Sequence, residues 1–254
     1  MIEMTLEEIK KIDVEILDVI AKFCDERKIN YWIDCGTLLG AIRHKGFIPW
    51  DDDVDIGMLR PDYDRFMNEF NGYDPRYEFC CFENKSEWPL AFGKVLNRAG
   101  AGQVDVFFYD NAPDDDKALR KMFRRRNFLH KLNSLRRKRI FNPVNGNIFR
   151  RMLGHAARFM LRLFPRYYFV KKLIKNSKRY VSEDTKRVGN FSAWDFAYCS
   201  KDVFDSFIDV EFEGKKYKAP AGYDKWLRAF YGDYMQLPPV EKRVQKHNFT
   251  AYYK

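Results

Sequence analysis

The sequence predicts an α+β fold that is interrupted by a basic helical insertion. The 254 residues are 46% apolar and 17% aromatic, which is enough to bury one large core. Strand-like segments and segments of helical period are interspersed without an internal repeat, which is typical of an α+β domain. Positions 117–180 contain 21 Lys or Arg residues and no Asp or Glu. The remaining 25 basic and 36 acidic residues give a net charge of −11, so the overall +10 averages an acidic body and a basic segment.

The N-terminal part of the sequence predicts a helix, a strand and a second helix. Thr5 and Glu8 match a capping box at the start of a helix over 5–30. Its inner face is predicted from apolar residues at three- and four-residue steps, which are Ile9, Ile12, Ile16, Ile20 and Phe23. A short strand over 31–34, a turn at Cys35-Gly36 and a short helix over 37–44 should follow.

The next part of the sequence predicts four strands and one helix. A strand is expected through 53–56, and Pro61 suits the first turn of a helix that buries Phe66 and Phe70. Further strands are expected at 77–82, 92–96 and 103–108.

The basic segment should form two or three helices, broken near Asn142-Pro143 and Pro165. After it, 210–218 predicts a hairpin that turns at Glu213-Gly214, and 223–231 predicts a helix. The simplest division is one α+β domain built from 1–116 and 185–254, with 117–184 inserted between its halves.

The expected location is the cytoplasm. The first residues carry acids where a secretory signal would be basic and then apolar, and no stretch has about 18 uncharged apolar residues. The five cysteines form no C-x-x-C pair, so reduced and mostly buried thiols are expected rather than disulfides or a zinc site.

Four aspartates lie within five positions, at Asp51, Asp52, Asp53 and Asp55. Carboxylates this close repel one another unless a cation compensates them. If a strand extends through them, alternation places Asp51, Asp53 and Asp55 on one face and Asp52 on the other, as a structural or surface residue. Carboxylate oxygens at this spacing suit Mg²⁺ or Mn²⁺ bound together with substrate phosphates.

A third position for such a site is predicted at Asp105, a lone acid in an apolar strand. A buried carboxylate is costly without a cation, so Asp105 is expected to join the metal site. The alternative is an aspartate that only caps a helix or forms an ion pair.

Phosphate contacts are predicted from a small-residue turn and from nearby cations. Gly36-Thr37 lies between a strand and a helix, where free backbone N–H groups attract anions. Arg43, His44 and Lys45 can add cationic contacts, although at least one should face solvent. Lys94 and Arg98 are candidate phosphate clamps.

The run YWIDCGTLLGAIRHKGFIPWDDDVDIGM resembles the signature of the LicD family, which is related to fukutin and fukutin-related protein. That family belongs to the nucleotidyltransferase superfamily, whose Gly-Ser/Thr, D-x-D and third Asp correspond here to Gly36-Thr37, Asp53-Val54-Asp55 and Asp105. The similarity continues in FGKVLNR, VDVFFYD, FEGKKYKAP and YGDYMQLPP and skips the basic segment. Two departures are Cys35, where the family often has Gly, and Phe108-Tyr109, where it has a Pro-Leu pair and where acceptor choice could be altered.

The resemblance implies a nucleotidyltransferase-type mixed sheet flanked by helices and a metal-dependent enzyme. The implied reaction transfers a phospho-alcohol from a CDP-linked donor to a sugar hydroxyl of lipopolysaccharide, capsule or teichoic acid and releases CMP. The implied catalytic residues are Asp53, Asp55 and Asp105, and Asp105 is expected to orient or deprotonate the acceptor hydroxyl. Phosphocholine from CDP-choline is the preferred donor group, and ribitol or glycerol phosphate is the alternative.

The sequence leaves open the identity of the donor group, the type of group transferred and whether the site is active. A choline site would need an aromatic cage, for which Trp32, Trp50, Trp88, Phe92 and Trp194 are available, although most should be core residues. The same fold could instead transfer a nucleotide to a small molecule or RNA, or serve as a binding module with a degenerate site.

The basic segment interleaves cations with bulky apolar residues, which favours helices on an anionic membrane surface and a peripheral position at its inner face. A lipid-linked glycan acceptor would suit that position. A solvated charged face is the alternative, and nucleic-acid binding is not expected because no motif accompanies the charge.

Overall fold

The computed structural model describes residues 4–137, 148–192 and 198–244. The predicted break near Asn142-Pro143 and the candidate Trp194 lie outside the described residues. Within them the α+β class is confirmed, with a mixed sheet flanked by helices. The elements in chain order are α1 (Leu6–Arg27), β1 (Trp32–Ile33), α2 (Cys35–His44), β2 (Val54–Leu59), α3 (Arg60–Glu69), β3 (Tyr77–Cys80), β4 (Gly93–Asn97), β5 (Gln103–Ala112), α4 (Asp116–Arg137), α5 (Ile148–Leu161), α6 (Tyr168–Ser177), β6 (Arg187–Gly189), β7 (Tyr198–Ser200), β8 (Phe207–Phe212), β9 (Lys215–Pro220) and α7 (Tyr223–Tyr231).

The main sheet has the order β1-β2-β5-β4-β3, and β2 pairs with β5 in parallel while its other pairs are antiparallel. The sequence predicts the end of β5 at 108, but the strand continues to Ala112, where β6 and then β7 pair with it. Both added strands have three residues, which is too short for an alternating pattern to show in the sequence.

Helix α1 begins and packs as the sequence predicts. Thr5 and Glu8 form the capping box, with a Glu8 N–H to Thr5 Oγ1 distance of 3.3 Å and a Thr5 N–H to Glu8 Oε2 distance of 2.7 Å. The helix ends at Arg27, three residues before the predicted end, because Lys28 adopts the left-handed conformation that closes it. Phe23 then packs edge-on against Phe66 and Phe70 of the α3 region, so the predicted inner faces meet.

The predicted hairpin is confirmed as β8 and β9, which turn at Glu213 and Gly214 with φ angles of 51° and 73°. Two consecutive positive φ angles are those of a type I′ turn, which matches the twist of the flanking strands. The predicted α7 boundaries are also confirmed.

The described part of the basic segment forms α4, α5 and α6, and it shares apolar clusters with the rest of the chain. Leu129 of α4 and Leu173 of α6 are buried with Ala91, which belongs to the β3–β4 connection. Leu119 at the start of α4 is buried with Phe191. The segment is therefore packed against the α+β body at two places.

A buried ion pair that the sequence does not reveal links α3 to the far end of β5. Arg60 Nε lies 2.6 Å from Asp110 Oδ1 and Arg60 Nη2 lies 2.8 Å from Asp110 Oδ2, and both residues are buried. The guanidinium lies 3.6 Å from the centre of the Phe108 ring. Phe108 and Tyr109 are themselves buried, so any effect of this pair on acceptor choice, which stays a prediction, would have to be indirect.

Removing one partner of this pair should destabilise the protein strongly. Asp110→Ala removes the bidentate carboxylate of the buried Arg60 guanidinium and leaves it only the partly exposed Asp64, 3.6 Å away, so we expect a loss of about 3–5 kcal/mol in the free energy of unfolding. Asp209→Ala is the matched control, because it breaks a pair with Lys218 that is about half exposed and should cost less than about 1 kcal/mol. Urea denaturation measures both, and equal losses would contradict the assigned role of Asp110.

Candidate active site

The parallel pairing of β2 with β5 brings two predicted carboxylates together. Asp55 and Asp105 are register partners, and Lys94 of β4 is the partner of Asp105 on the other side. Directly paired residues point to the same face of a sheet, so all three side chains share one face. The Lys94 ammonium lies 2.5 Å from a carboxylate oxygen of Asp105. Asp105 thus has an ion-pair partner and also faces the aspartate cluster.

Three further aspartates lie directly before β2. Asp51, Asp52 and Asp53 each place one carboxylate oxygen within 4.8 Å of the other two. The prediction that Asp52 points to the opposite face is therefore wrong, and Asp52 is buried rather than on the surface. The alternation argument assumed a strand through Asp51, but β2 begins at Val54, so these residues do not follow the period of a strand.

Asp55 is buried at the start of β2 and is influenced by the charges of the neighbouring carboxylates. Burial raises the pKa of Asp55 well above its ordinary value, and repulsion from Asp53, Asp105 and Asp51 raises it further. Bringing these groups together as anions is unfavourable unless a cation is bound among them. Hard carboxylate oxygens from several directions are the donor set that Mg²⁺ and Mn²⁺ prefer, so the residues present fit a divalent cation.

The N-terminal turn of α2 lies against this cluster. The backbone N–H of Asp55 donates to Thr37 Oγ1 at 2.8 Å, which ties the helix to β2. A Cβ on Gly36 would lie 2.4 Å from Asp51 Oδ2, so only glycine allows this approach. Cys35 has a φ of 48°, a conformation that favours glycine and accounts physically for Gly at this position in the family pattern. The predicted anion site and the carboxylates are therefore adjacent.

A buried aspartate that sequence reasoning missed holds this arrangement together. Asp34 accepts hydrogen bonds from the Tyr109 hydroxyl and, at 2.9 Å, from Trp226 Nε1. Its backbone N–H donates to the carbonyl of Asp55 at 2.9 Å. Burial raises the pKa of Asp34, and these hydrogen bonds oppose the rise. An acid within the apolar run Tyr31-Trp32-Ile33 is the signal that could have identified it.

The predicted cationic contacts fall into two groups. Lys94 lies in the site, and Arg43 lines the cavity beside Asp51, where its Nη1 donates to the carbonyl of Tyr234 at 2.9 Å. Arg98 lies four residues beyond Lys94 in the chain, which is about 13 Å in a strand. Its guanidinium lies 4.0 Å from a carboxylate oxygen of Glu78.

The two residues after Arg43 differ in their surroundings. The Arg43 Nε lies 2.9 Å from His44 Nε2, and burial together with this guanidinium lowers the pKa of His44. Lys45 faces solvent and pairs with Glu211 at 3.4 Å, as expected for at least one of the three.

A cavity of about 840 Å³ opens beside Gly36 and Asp51. Its lining combines cationic and aromatic side chains, among them Arg43, Trp50, Tyr231, Tyr234, Lys242 and Arg243. The Arg243 guanidinium lies 5.7 Å from the centre of the Trp50 ring. Phosphate oxygens and a cationic or apolar group could both be accommodated in such a cavity.

The structure places the aromatic residues considered for a choline cage in different surroundings. Trp50 lines the cavity. Trp32 is fully buried and stacks on Phe204, so it is a core residue. Trp88 donates from Nε1 to the carbonyl of Phe92 at 2.8 Å, and the Phe92 ring packs on Phe107.

A second residue missed by sequence reasoning lies beneath the carboxylates. Asp13 of α1 is buried, and its Oδ1 accepts the backbone N–H of Gln103 at 2.6 Å. Burial raises the pKa of Asp13 to about 8, and the charges of Asp53 and Asp105 add to the rise. Asp13 lies on the inner face of α1, where the helical period predicts an apolar core residue, and no local pattern marks a polar side chain at this position as functional.

The proton held by Asp13 should make stability depend on pH. The folded-state pKa of about 8 lies above the unfolded value near 3.8, so this contribution is full at low pH and is lost as pH rises through the folded value. Asp13→Asn keeps an oxygen acceptor for Gln103 but cannot ionise. We therefore expect the free energy of unfolding of Asp13→Asn to fall less than that of the wild type between about pH 4 and pH 8. Urea denaturation measures it, with EDTA present to remove metal ions. Asp209→Asn should keep the wild-type slope, and an unchanged slope in Asp13→Asn would contradict the assignment.

The chain is similar in sequence to known proteins of one family. Residues 28–128 match the family model described as LicD/FKTN/FKRP, nucleotidyltransferase domain. The chain is 30% identical over 266 residues to the lipopolysaccharide cholinephosphotransferase LicD of Haemophilus influenzae, which covers 98% of both chains. It is also 53% identical over 34 residues to the human ribitol 5-phosphate transferase FKRP, covering 13% of this chain and 7% of that protein. The mouse ribitol-5-phosphate transferase FKTN is 39% identical over 49 residues, covering 19% and 11%.

Proposed function

The chain belongs to the LicD family of transferases, and on this basis we propose that it transfers a phospho-alcohol from a CDP-linked donor to a hydroxyl of a cell-surface glycan. The observation that carries the proposal is the position of the carboxylates. Asp51, grouped with Asp52 and Asp53, lies against Gly36 at the start of α2 and lines a cavity that contains Arg43, Lys242 and Arg243. This arrangement joins a cation site to groups that bind phosphate oxygens.

The proposed metal ligands are Asp51, Asp53, Asp55 and Asp105, which would hold Mg²⁺ or Mn²⁺. When bound, the metal would neutralise the donor diphosphate and the departing CMP. The chain's own residues would position the donor: backbone N–H groups at Gly36 and Thr37 and the side chains of Arg43 and Lys94 would contact phosphate oxygens, whereas Arg98, just past the end of β4, lies too far away to join them.

We propose that Asp105 accepts the proton of the acceptor hydroxyl. The hydroxyl oxygen forms a new bond to the phosphorus that carries the alcohol, and the bond from that phosphorus to the CMP oxygen breaks. The Lys94 ammonium beside Asp105 limits where this carboxylate can point, because the two groups are in contact. General-base positions of this kind require hydrogen-bond reach and a defined orientation.

Phosphocholine is the donor group we favour. The relative that aligns with 98% of this chain is named as a cholinephosphotransferase, whereas the match to the ribitol 5-phosphate transferase spans 34 residues. The Trp50 ring that faces Arg243 already contacts a cation, and a quaternary ammonium group is attracted to an aromatic face in the same way. Ribitol or glycerol phosphate is the alternative donor group, and lipopolysaccharide, capsule or teichoic acid is the proposed class of acceptor.

The basic segment suggests where the reaction takes place. None of the described helices is long and apolar enough to cross a membrane. We propose that 117–184 is an insertion in a catalytic domain of 1–116 and 185–254. In this proposal the insertion brings the enzyme to the inner face of the cell membrane, where a lipid-linked acceptor would be available.

The proposed reaction predicts CMP release that depends on metal and on the β2 aspartates. With Mg²⁺ and a cell-envelope glycan fraction, one of CDP-choline, CDP-ribitol and CDP-glycerol should yield CMP. Asp53→Asn/Asp55→Asn should lower the rate by about 10³-fold or more, because charge stabilisation of the transition state is lost. Asp209→Asn, an exposed acid on the hairpin, is the matched control and should retain the rate.

Pyrophosphate release, with nucleotide left on the acceptor, would instead support nucleotidyl transfer. Silence with all three donors in the presence of acceptor would contradict the proposed reaction.

The proposed role of Asp105 makes a separate prediction. Asp105→Asn removes the base but keeps the size of the side chain, so kcat should fall about 10²–10⁴-fold. Full activity of Asp105→Asn would exclude the role.

A further inference from the structure

Helix α5 and the turn after it present apolar side chains to solvent. Within α5, Met152, Phe159 and Met160 are spaced by seven and eight residues and so lie on one face of the helix. Leu163 and Phe164 continue this surface into the turn. Met152 is 67% exposed and Leu163 is 72% exposed, values far from those of a core residue. This apolar stripe, defined as Met152, Leu153, Phe159, Met160, Leu163 and Phe164, is not covered by the described chain.

Cationic side chains border the apolar stripe. Arg162 and Arg166 are exposed in the turn, and Lys171 and Lys172 follow at the start of α6. A cavity of about 610 Å³ beside them contains Tyr167, Tyr168, Lys171, Lys172 and Lys175, with Glu87 as the acid at its edge. Lysines that converge beside tyrosines are suited to phosphate groups at the boundary between an apolar and an aqueous phase.

The stripe is held in a fixed position relative to the site. Arg136 of α4 donates to the carbonyl oxygens of Leu161 and Arg166, which fixes the end of α5 and the turn. Asn133 of α4 in turn donates to the carbonyl of Pro89, five residues before Lys94 in the β3–β4 connection. The turn that carries part of the stripe is therefore linked through α4 to the β3–β4 connection, which leads into Lys94.

We propose that the apolar stripe inserts into the interface of an anionic lipid bilayer, with the bordering Lys and Arg side chains on the lipid phosphates. A helix with one apolar face and cationic flanks lies in the plane of such an interface. Charge argues against a second copy of the chain as the occupant, because two segments of 21 basic residues without acids would be brought together. The inference deepens the proposed function and rests on it for its purpose, which is to bring a lipid-linked acceptor to the Lys94 side of the site.

The inference is tested by flotation of the full chain with phosphatidylcholine vesicles that contain or lack phosphatidylglycerol. The wild type should float with the anionic vesicles at low salt. Phe159→Glu/Leu163→Glu should lower the partition coefficient about tenfold or more, because two inserted apolar groups are replaced by anions. Ile208→Glu is the matched control: Ile208 is also an exposed apolar residue, but it lies on β8, so binding should be unchanged.

A second pair of variants tests the cationic border. Lys171→Gln/Lys172→Gln should weaken binding roughly thirtyfold at low salt, because each of the two charges contributes separately to attraction by the anionic surface. The effect should be much smaller at high salt, because salt screens that attraction. Circular dichroism and urea denaturation confirm that each variant is folded.

Equal flotation of the wild type and Phe159→Glu/Leu163→Glu would overturn the proposal. The proposal would also be overturned if the wild type did not bind vesicles but sedimented as a dimer, and if Phe159→Glu/Leu163→Glu dissociated that dimer. The stripe would then be an interface between two copies of the chain. CMP release with a water-soluble acceptor fragment separates this test from that of the proposed function. It should be unaffected in both double variants, and its absence in the wild type would count against the function and not against insertion.

Discussion

The parallel pairing of β2 with β5 is the constraint on which the site depends. It places Asp55 beside Asp105 in register, and every other candidate ligand reaches the site through its position relative to these two residues. Asp51 to Asp53 arrive from the segment before β2, and Lys94 arrives from the other neighbour of β5. A shift of one residue in this register would turn one of the two carboxylates toward the opposite face. The apolar partners of the same ladder, such as Ile56 with Val106, are fully buried and oppose that shift.

Asp34 couples this ladder to α2, the helix proposed to bind the donor phosphates. Its side chain is held by residues of β5 and α7, and its backbone is bonded to Asp55 and to the first turn of α2. A buried polar network with every member hydrogen-bonded rigidifies its surroundings. The carboxylates are thus concentrated at a place where neighbouring elements cannot easily move apart to relieve their repulsion. In the proposed site, a bound cation would relieve that repulsion instead.

The sequence predicts the elements of this fold better than it predicts the polar side chains between them. Local signals located the capping box at Thr5, the turn at Glu213-Gly214 and α7, because caps, turns and helical periods depend on residues that are neighbours in the chain. Asp13, Asp34 and the Arg60–Asp110 pair were missed, because their partners lie about 50 or more residues away and no local pattern marks them. Asp52 was misassigned because alternation applies only within a strand, and β2 starts two residues later.

The fold places the acidic and the basic parts of the chain on two different surfaces. The acidic body concentrates carboxylates at one end of β2 and β5, while the basic segment carries its apolar stripe and its cations on α5, α6 and the turn between them. In our proposals these two surfaces would attract opposite partners: a cation with its phosphate ligands on one, and an anionic surface on the other. The β3–β4 connection contacts the basic segment through Pro89 and Ala91 and leads into Lys94, so the two surfaces share one structural element.

The most direct test is calorimetric titration of the metal-free protein with Mn²⁺, comparing the wild type with Asp55→Asn. If the carboxylates around Asp55 hold a divalent cation, the wild type binds Mn²⁺, and its affinity falls as acid protonates Asp55, whose pKa burial and its neighbours raise. Asp55→Asn should then bind at least about tenfold more weakly. Equal affinity in the two proteins, or a wild type that binds no Mn²⁺ at neutral pH, would contradict a metal site at this cluster.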